Sequence, residues 1–348
     1  MSTVETVRGP VAVSQLGPTL AHEHIVIISA EFEKFYPELS WGGDRADVLA
    51  SVAGQLQAVR DRGITTILDC TAYFHGRDMD FVREVNERVD INLIVSTGIY
   101  SYDYLPWHIA HRRPKSVADD ILTRMFLRDL TVGIGDSGVR AQSIKVATDA
   151  EGFTPNNVRM LRAAARASAE TGAPITAHTH PAARQAPQLL EILADEGADI
   201  SRVVVAHSGD TDDLDYLRAL LDAGAVMGDD RFGLYIPGTA PEDKRLDVLA
   251  ELCAQGYADR IVLSHDTVLY SDWSSLGRAA RPDWMTGWVP THVSDVILPG
   301  LRNRGVSEAD LSALMVSAPA SLFTKVARLC GRSASSHPGG SRRPRSRT

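Results

Sequence analysis

Cysteine is scarce in this chain of 348 residues. Cys70, Cys253 and Cys330 are too few and too scattered for a disulfide framework, and a reducing, cytoplasmic setting is expected. Long apolar runs are missing too. The N-terminal region offers only Ile25-Val26-Ile27-Ile28, far short of the roughly 20 residues a membrane span needs. The opening MSTVETVRGP lacks the basic and apolar regions of a signal peptide, so no membrane partner is expected. No period of about 20–50 residues repeats, which excludes a solenoid.

Acid is absent from the last stretch, GRSASSHPGGSRRPRSRT (331–348), which carries five arginines and almost nothing apolar. Such a composition cannot bury enough surface to offset the entropy of ordering, so a disordered basic tail is expected beyond a single domain over 1–330. Without those arginines the body has 31 basic and 44 acidic residues, a formal charge of −13. That acidity argues against nucleic acid as a partner and leaves a small molecule.

What is present is alternation. Short apolar, β-branched runs recur at 19–27, 65–72, 92–100, 143–149, 175–180, 202–209, 225–233 and 261–267. Helical patterns lie between and after them at 48–63, 117–134, 154–172, 211–224, 241–256, 291–305 and 307–323, several with a cap signal at the start and Gly at the end. Two long loops are expected, 101–116 and 268–290. Eight strands with intervening helices predict an α/β fold, a (β/α)8 TIM barrel. A doubly wound sheet would show a Gly-rich loop after strand one, whereas this strand ends in His22-Glu23-His24.

Strand periodicity places the polar residues. Residues i and i+2 share a face, so His22 and His24 point together and Glu23 points away. Ile144 and Val146 face the helices, which turns Lys145 into the barrel. His178 and His180 share a face, His207 ends strand six, and Asp266 ends strand eight. In a barrel these ends converge on one mouth, where such folds do chemistry. Burying so many polar groups unpartnered costs several kcal/mol each. A pair of divalent ions, Zn foremost with Co, Mn or Fe as alternatives, satisfies imidazole and carboxylate together. A buried lysine has a depressed pKa, so its neutral amine can take up carbon dioxide and become an anionic carbamate able to bridge two metals.

The ordered set VRGP (7–10), LAHEH (20–24), IKVATD (144–149), AHTH (177–180), AHSGDTDDLDYL (206–217), DRFG (230–233) and SHD (264–266) resembles the phosphotriesterase family of the amidohydrolase superfamily, and most closely its phosphotriesterase-like lactonase branch. The resemblance runs from about Thr6 to Phe323. It implies His22, His24 and Asp266 as ligands of a more buried metal, His178 (rather than His180) and His207 as ligands of a more exposed one, and carbamylated Lys145 between them. Tyr100 and Arg231 match positions lining the lactonase pocket, and Asp210 matches an acid behind the ligands. Arg231 also reads as a partner for Asp229 or Asp230. The departures are Asp229, the stretch 234–244, Thr267-Val268-Leu269 and Ala318; they leave the metal set intact and fall mostly on loops that shape the pocket.

The activity implied is opening of acyl-homoserine or other γ- and δ-lactones by a hydroxide bridging two metals, with Asp266 moving the proton, Tyr100 bonding the ring oxygen, and the acyl chain against Val268-Leu269-Tyr270 and Trp273. An organophosphate triesterase using the same centre is the closest alternative. A non-catalytic ligand-binding barrel and a mononuclear deaminase are weaker, the latter because it leaves Lys145 without a purpose. The resemblance also implies a homodimer.

Overall fold

The computed structural model describes residues 2–273 and 282–324, so the basic tail at 331–348, the last residues of the 1–330 domain and part of the 268–290 loop lie outside the described residues. A hairpin of β1 (Thr3–Thr6) and β2 (Gly9–Ala12) opens the chain. Eight parallel strands follow: β3 (Thr19–Glu23), β4 (Thr66–Asp69), β5 (Asn92–Gly98), β6 (Ser143–Ala147), β7 (Ile175–His178), β8 (Val203–Ala206), β9 (Val226–Asp229) and β10 (Ile261–Leu263). Each pairs with its sequence neighbour. This is the expected (β/α)8 barrel.

All eight expected runs contain a strand, but every strand ends short of its run. The reason is positional. In seven of the eight runs a residue one to three places past the strand (His24, Tyr100, Asp149, His180, His207, Arg231, Asp266) turns toward the mouth. The hairpin was not anticipated. It seals the barrel floor, where Val4 packs with Leu16, Leu68, Ile94, Val204, Val226 and Val262.

The helices form as their caps dictate. The loop after β3 holds α1 (Ala30–Phe35) and α2 (Pro37–Ser40). Then α3 (Arg45–Asp61) starts where the Asp44 carboxylate accepts from the Ala46 amide. After β4 comes α4 (Met79–Arg88), capped by Asp78. The long loop after β5 carries α5 (Trp107–Ala110), then α6 (Ile121–Thr131). The helix α7 (Pro155–Thr171) has Thr154 as its N-cap, Pro155 in its first turn and Gly172 at φ 77° just past its end. The remaining crossovers are α8 (Ala186–Asp195), α9 (Leu214–Asp222) and α10 (Glu242–Ala254), and α11 (Leu298–Asn303), α12 (Glu308–Ser312) and α13 (Ala318–Ser321) close the chain. The sequence reading did not separate α4 or α8. The latter follows Gln185, which makes no side-chain cap, so Pro187 in its first turn is its start signal. Among the described residues no helix is long and apolar enough to cross a membrane.

Two local features aim the site. The register of β3 on β4 slips between Leu20 and Glu23, where Ala21 and His22 oppose Leu68 alone. This bulge lets Ala21 fill the floor while His22, next in the chain, joins the mouth. The second feature closes the barrel. The buried Glu23 accepts from Ser264 Oγ (2.7 Å), the His265 amide (3.0 Å) and ring Nδ1 (2.6 Å), the Thr267 amide (2.8 Å) and the Thr267 hydroxyl. Backbone bonds from Asp266 to His22 (3.0 Å) and from His24 to Thr267 (2.8 Å) run beside it. Glu23 thus ties the first barrel strand to the residues after the last. Truncation strands several buried donors, so Glu23→Ala is expected to lower unfolding free energy by about 3 kcal/mol. Urea denaturation of Glu23→Ala beside the exposed-site control Glu31→Ala checks this, with little change expected in the control.

Candidate metal centre

The six side chains singled out in the sequence meet at the mouth. His22 Nε2 lies 2.6 Å from Lys145 Nζ and 3.2 Å from Asp266 Oδ1. His24 Nε2 lies 3.1 Å from the same oxygen. His207 Nε2 is 2.9 Å from His178 Nδ1 and 3.7 Å from Asp266 Oδ2. The other five are sealed, whereas Asp266 keeps 16% of its side chain exposed and is the group that solvent reaches.

The backbone accepts strain to aim them. His207 and Asp266 have φ of 65° and 55°, in the left-handed region that residues with a side chain rarely occupy. Such positions cost on the order of 1–3 kcal/mol and persist where surrounding structure fixes them. Lys145 is set by a close approach. A Cβ on Gly98, at φ 112° in β5, would fall 1.9 Å from the Lys145 carbonyl oxygen, so only glycine lets the two strands meet there.

Asp230 decides the chemistry of the imidazoles, and sequence reasoning gave it no such role. Its Oδ2 accepts from His22 Nδ1 (2.6 Å), and its Oδ1 accepts from His207 Nδ1 (2.9 Å) and the His207 amide (2.8 Å). A carboxylate can only accept, so both rings carry their proton on Nδ1 and turn a bare Nε2 inward. His178 is the mirror case: Nε2 donates to Asp149 Oδ2 (3.0 Å), which bares Nδ1. His24 Nδ1 bonds Thr71 Oγ1 (3.0 Å) and leaves Nε2 for the centre. The bare nitrogens of His178 and His207 therefore face each other lone pair to lone pair at 2.9 Å.

That arrangement repels itself unless a cation lies among the lone pairs. The donor set fits a cation well: neutral imidazoles, one carboxylate and one amine, each imidazole oriented by a partner on its far nitrogen. The donor atoms of His22, His24 and Asp266 lie within 4.8 Å of one another, as do those of His22, His207 and Asp230. In the second group both oxygens of Asp230 are already spent on N–H groups, so Asp230 positions the rings from behind.

Charge agrees. Burial pushes His24 and His178 down to about 4 and His207 well below its usual range, so these rings are neutral near pH 7. Burial lowers Lys145 as well, which favours its free amine. Burial alone would raise Asp266, but His22, His207, His24 and Arg231 outweigh it and hold the carboxyl well below the usual range.

The neighbours complete the site. Arg231 donates from Nε to Asp266 Oδ2 (3.2 Å) and from Nη1 to Asp210 Oδ2 (3.3 Å). Its partners are therefore Asp266 and Asp210, and the expected pairing with Asp229 or Asp230 does not occur. The acid Asp210, expected behind the ligands, also meets buried Arg245 at 2.7 Å. Asp229 is buried against Gly209 with its Oδ1 unpartnered, and burial drives its carboxyl well above the usual range. Tyr100 packs edge-on to His178, ring centres 5.7 Å apart, and its hydroxyl lies 2.5 Å from that of Tyr102. Burial and that neighbour push the Tyr100 phenol well above its ordinary value. His180 does not join the donors. It lines a second cavity of about 520 Å³, with Asp149, Asp210 and Arg231.

A larger cavity of about 980 Å³ runs past Tyr100 and His75 between α3 and the residues after β10. Val268, Leu269, Tyr270 and Trp273, the expected acyl-chain wall, all line it. His265, three residues from that wall, serves structure alone. Its Nδ1 meets Glu23 and its Nε2 accepts from the Val293 amide (2.8 Å).

If Asp230 fixes the ring tautomers, Asp230→Asn must weaken cation binding while the fold persists. Metal affinity, measured by competition with a chromogenic chelator, is expected to fall roughly 10- to 100-fold. Unchanged affinity would remove Asp230 from this role.

Known proteins bear on this geometry. The model of the Phosphotriesterase family matches residues 2–323. A phosphotriesterase homology protein of Mycobacterium tuberculosis is 38% identical over 327 residues, 93% of this chain and 98% of its own. An aryldialkylphosphatase of Saccharolobus solfataricus is 31% identical over 309 residues, covering 89% of this chain and 95% of that protein. Among solved structures, a mutant of a PTE-like lactonase from Deinococcus radiodurans superposes with a TM-score of 0.84 at 36% identity, over 92% of this chain and all of that one. With the barrel, the donor cluster and this coverage together, the chain belongs to the phosphotriesterase family of metal-dependent hydrolases.

Proposed function

We propose that the protein opens lactone rings with two divalent metal ions held by His22, His24, Lys145, His178, His207 and Asp266, Lys145 being carbamylated. The observation that carries hydrolysis is the pair of bare ring nitrogens of His178 and His207, which make sense around a cation. The lactone reading draws on the cavity of about 980 Å³ beside Tyr100, large enough for an acyl substituent, and on the similarity to a PTE-like lactonase. When bound, two such ions supply Lewis acidity to a water and to the carbonyl oxygen.

The chain's own groups do the rest. The neutral amine of Lys145 forms a bond to carbon dioxide, releases one proton, and gives an anion among the imidazoles. The Tyr100 and Tyr102 hydroxyls have two protons between them and spend one on each other, which leaves one to donate to the ring or carbonyl oxygen. Asp266, ionised and partly exposed, takes a proton from the attacking water at Oδ2 and returns it to the departing ring oxygen. Water is thereby added across the ring C–O bond, hydroxyl to the acyl carbon and proton to the alkoxide. Arg231 favours the ionised form of Asp266 before it takes the proton and after it gives it up.

A phosphotriester is the second reading, because the same donors suit an electrophilic phosphorus and one relative is named an aryldialkylphosphatase. Acyl-homoserine lactones, other γ- and δ-lactones and paraoxon, assayed side by side, separate the two. A lactone is expected to have the highest kcat/KM, and paraoxon exceeding every lactone would reverse the ranking. Asp266→Asn is expected to lower kcat roughly 10²- to 10⁴-fold on the best substrate. Native mass spectrometry of the wild type should carry the mass of one added carbon dioxide, absent from Lys145→Ala.

A further inference from the structure

One buried polar side chain at the site has no part in the scheme above. Six histidines are fully buried among the described residues. His265 uses both ring nitrogens within the protein, and His22, His24, His178 and His207 each use one and turn the other to the centre. His75 uses neither. Among the described residues its Nδ1 is sealed without a partner and no hydrogen bond reaches its Nε2, and its side chain lines the large cavity.

Its position is built with care. The preceding residue, Phe74, sits at φ 64°, strained for a bulky aromatic. The following residue, Gly76, accepts from the Ile28 amide (2.7 Å), and a Cβ there would fall 2.3 Å from the Ile28 carbonyl oxygen. The imidazole stacks on Tyr100, ring centres 4.0 Å apart and 10° from parallel, and meets His24 edge-on at 4.5 Å. Trp273 lies at 5.4 Å. A polar ring is thus fixed one layer from a donor of the centre, amid aromatic walls, with its hydrogen-bonding capacity unspent. Nδ1 is closed to any ligand, so a molecule in the cavity can bond the ring only at Nε2.

We propose that His75 hydrogen-bonds a polar atom of the substrate one or two bonds from the reacting carbonyl, and so selects lactones carrying an amide or hydroxyl substituent there over lactones carrying a plain alkyl chain. A neutral imidazole can donate or accept at Nε2, so either an amide or a hydroxyl satisfies it. The inference rests on the lactone reading. It makes His75 a specificity residue: the proton transfers belong to Asp266.

The test compares two γ-butyrolactones with side chains of matched length, one attached through an α-acylamino group and one through an α-alkyl group. The holoenzyme is expected to prefer the acylamino lactone. His75→Leu should cut the ratio of the two kcat/KM values roughly tenfold or more, mainly through KM of the acylamino lactone, and His75→Gln should restore part of it. A ratio does not depend on how much of each variant is folded or metal-loaded. The proposal is overturned if the wild type shows no preference, or if His75→Leu leaves the ratio unchanged. A wild type that opens neither lactone but hydrolyses paraoxon would overturn the lactone reading, and this proposal with it.

Discussion

The carboxylate of Asp230 accepts from Nδ1 of both His22 and His207, and most of the chemistry at the barrel mouth depends on that double acceptance. Proton placement follows from it. Two rings whose Nδ1 protons are taken by Asp230 turn Nε2 to the interior, and His178, bonded through Nε2 to Asp149, turns Nδ1 there. Lone pairs packed at 2.9 Å in a desolvated space are a standing electrostatic debt. Protonation would relieve it, but burial drives the rings the other way, with His24 and His178 down to about 4. A metal cation answers all of these constraints together.

The scaffold serves the same end. The bulge in β3 turns His22 inward, Glu23 knots that strand to the residues after β10, and left-handed backbone at His207 and Asp266 aims two further groups. Strain at a site is sustained where packing around it is over-determined. Here it is flanked by strands whose helix-facing residues (Ile144, Val146, Val203, Val205, Ile261, Leu263) are buried in the main core. Rigid strands hold the donors, and longer loops form the cavities, which separates the chemistry from the choice of substrate.

Much of this was legible in the chain. Eight β-branched runs marked the barrel, and polar residues at the C-terminal ends of those runs marked the site, because period-two alternation fixes which side chains point inward. What escaped reading has physical reasons. Strand ends were overrun because residues just past several strands, such as Ile25, Val26 and Ile99, are as apolar and as buried as those within them. Asp230 hid inside the DRFG motif, one residue from a conspicuous arginine, and its role emerges only when β3 and β8 are brought to either side of it. Glu23 stood in plain view between two histidines, yet its partners lie more than 240 residues away. His75 showed no pattern at all. Its meaning comes from the lack of a hydrogen-bond partner among the described residues, which is a property of the folded protein alone.

The central claim is that the mouth of this barrel is built around two cations. Elemental analysis of the purified protein, expressed with zinc, cobalt, manganese and iron available, tests it directly. The account predicts two divalent ions per chain, retained through desalting and lost together with activity when a strong chelator is applied. A protein that carries no stoichiometric metal and hydrolyses its substrates undiminished in chelator would contradict it.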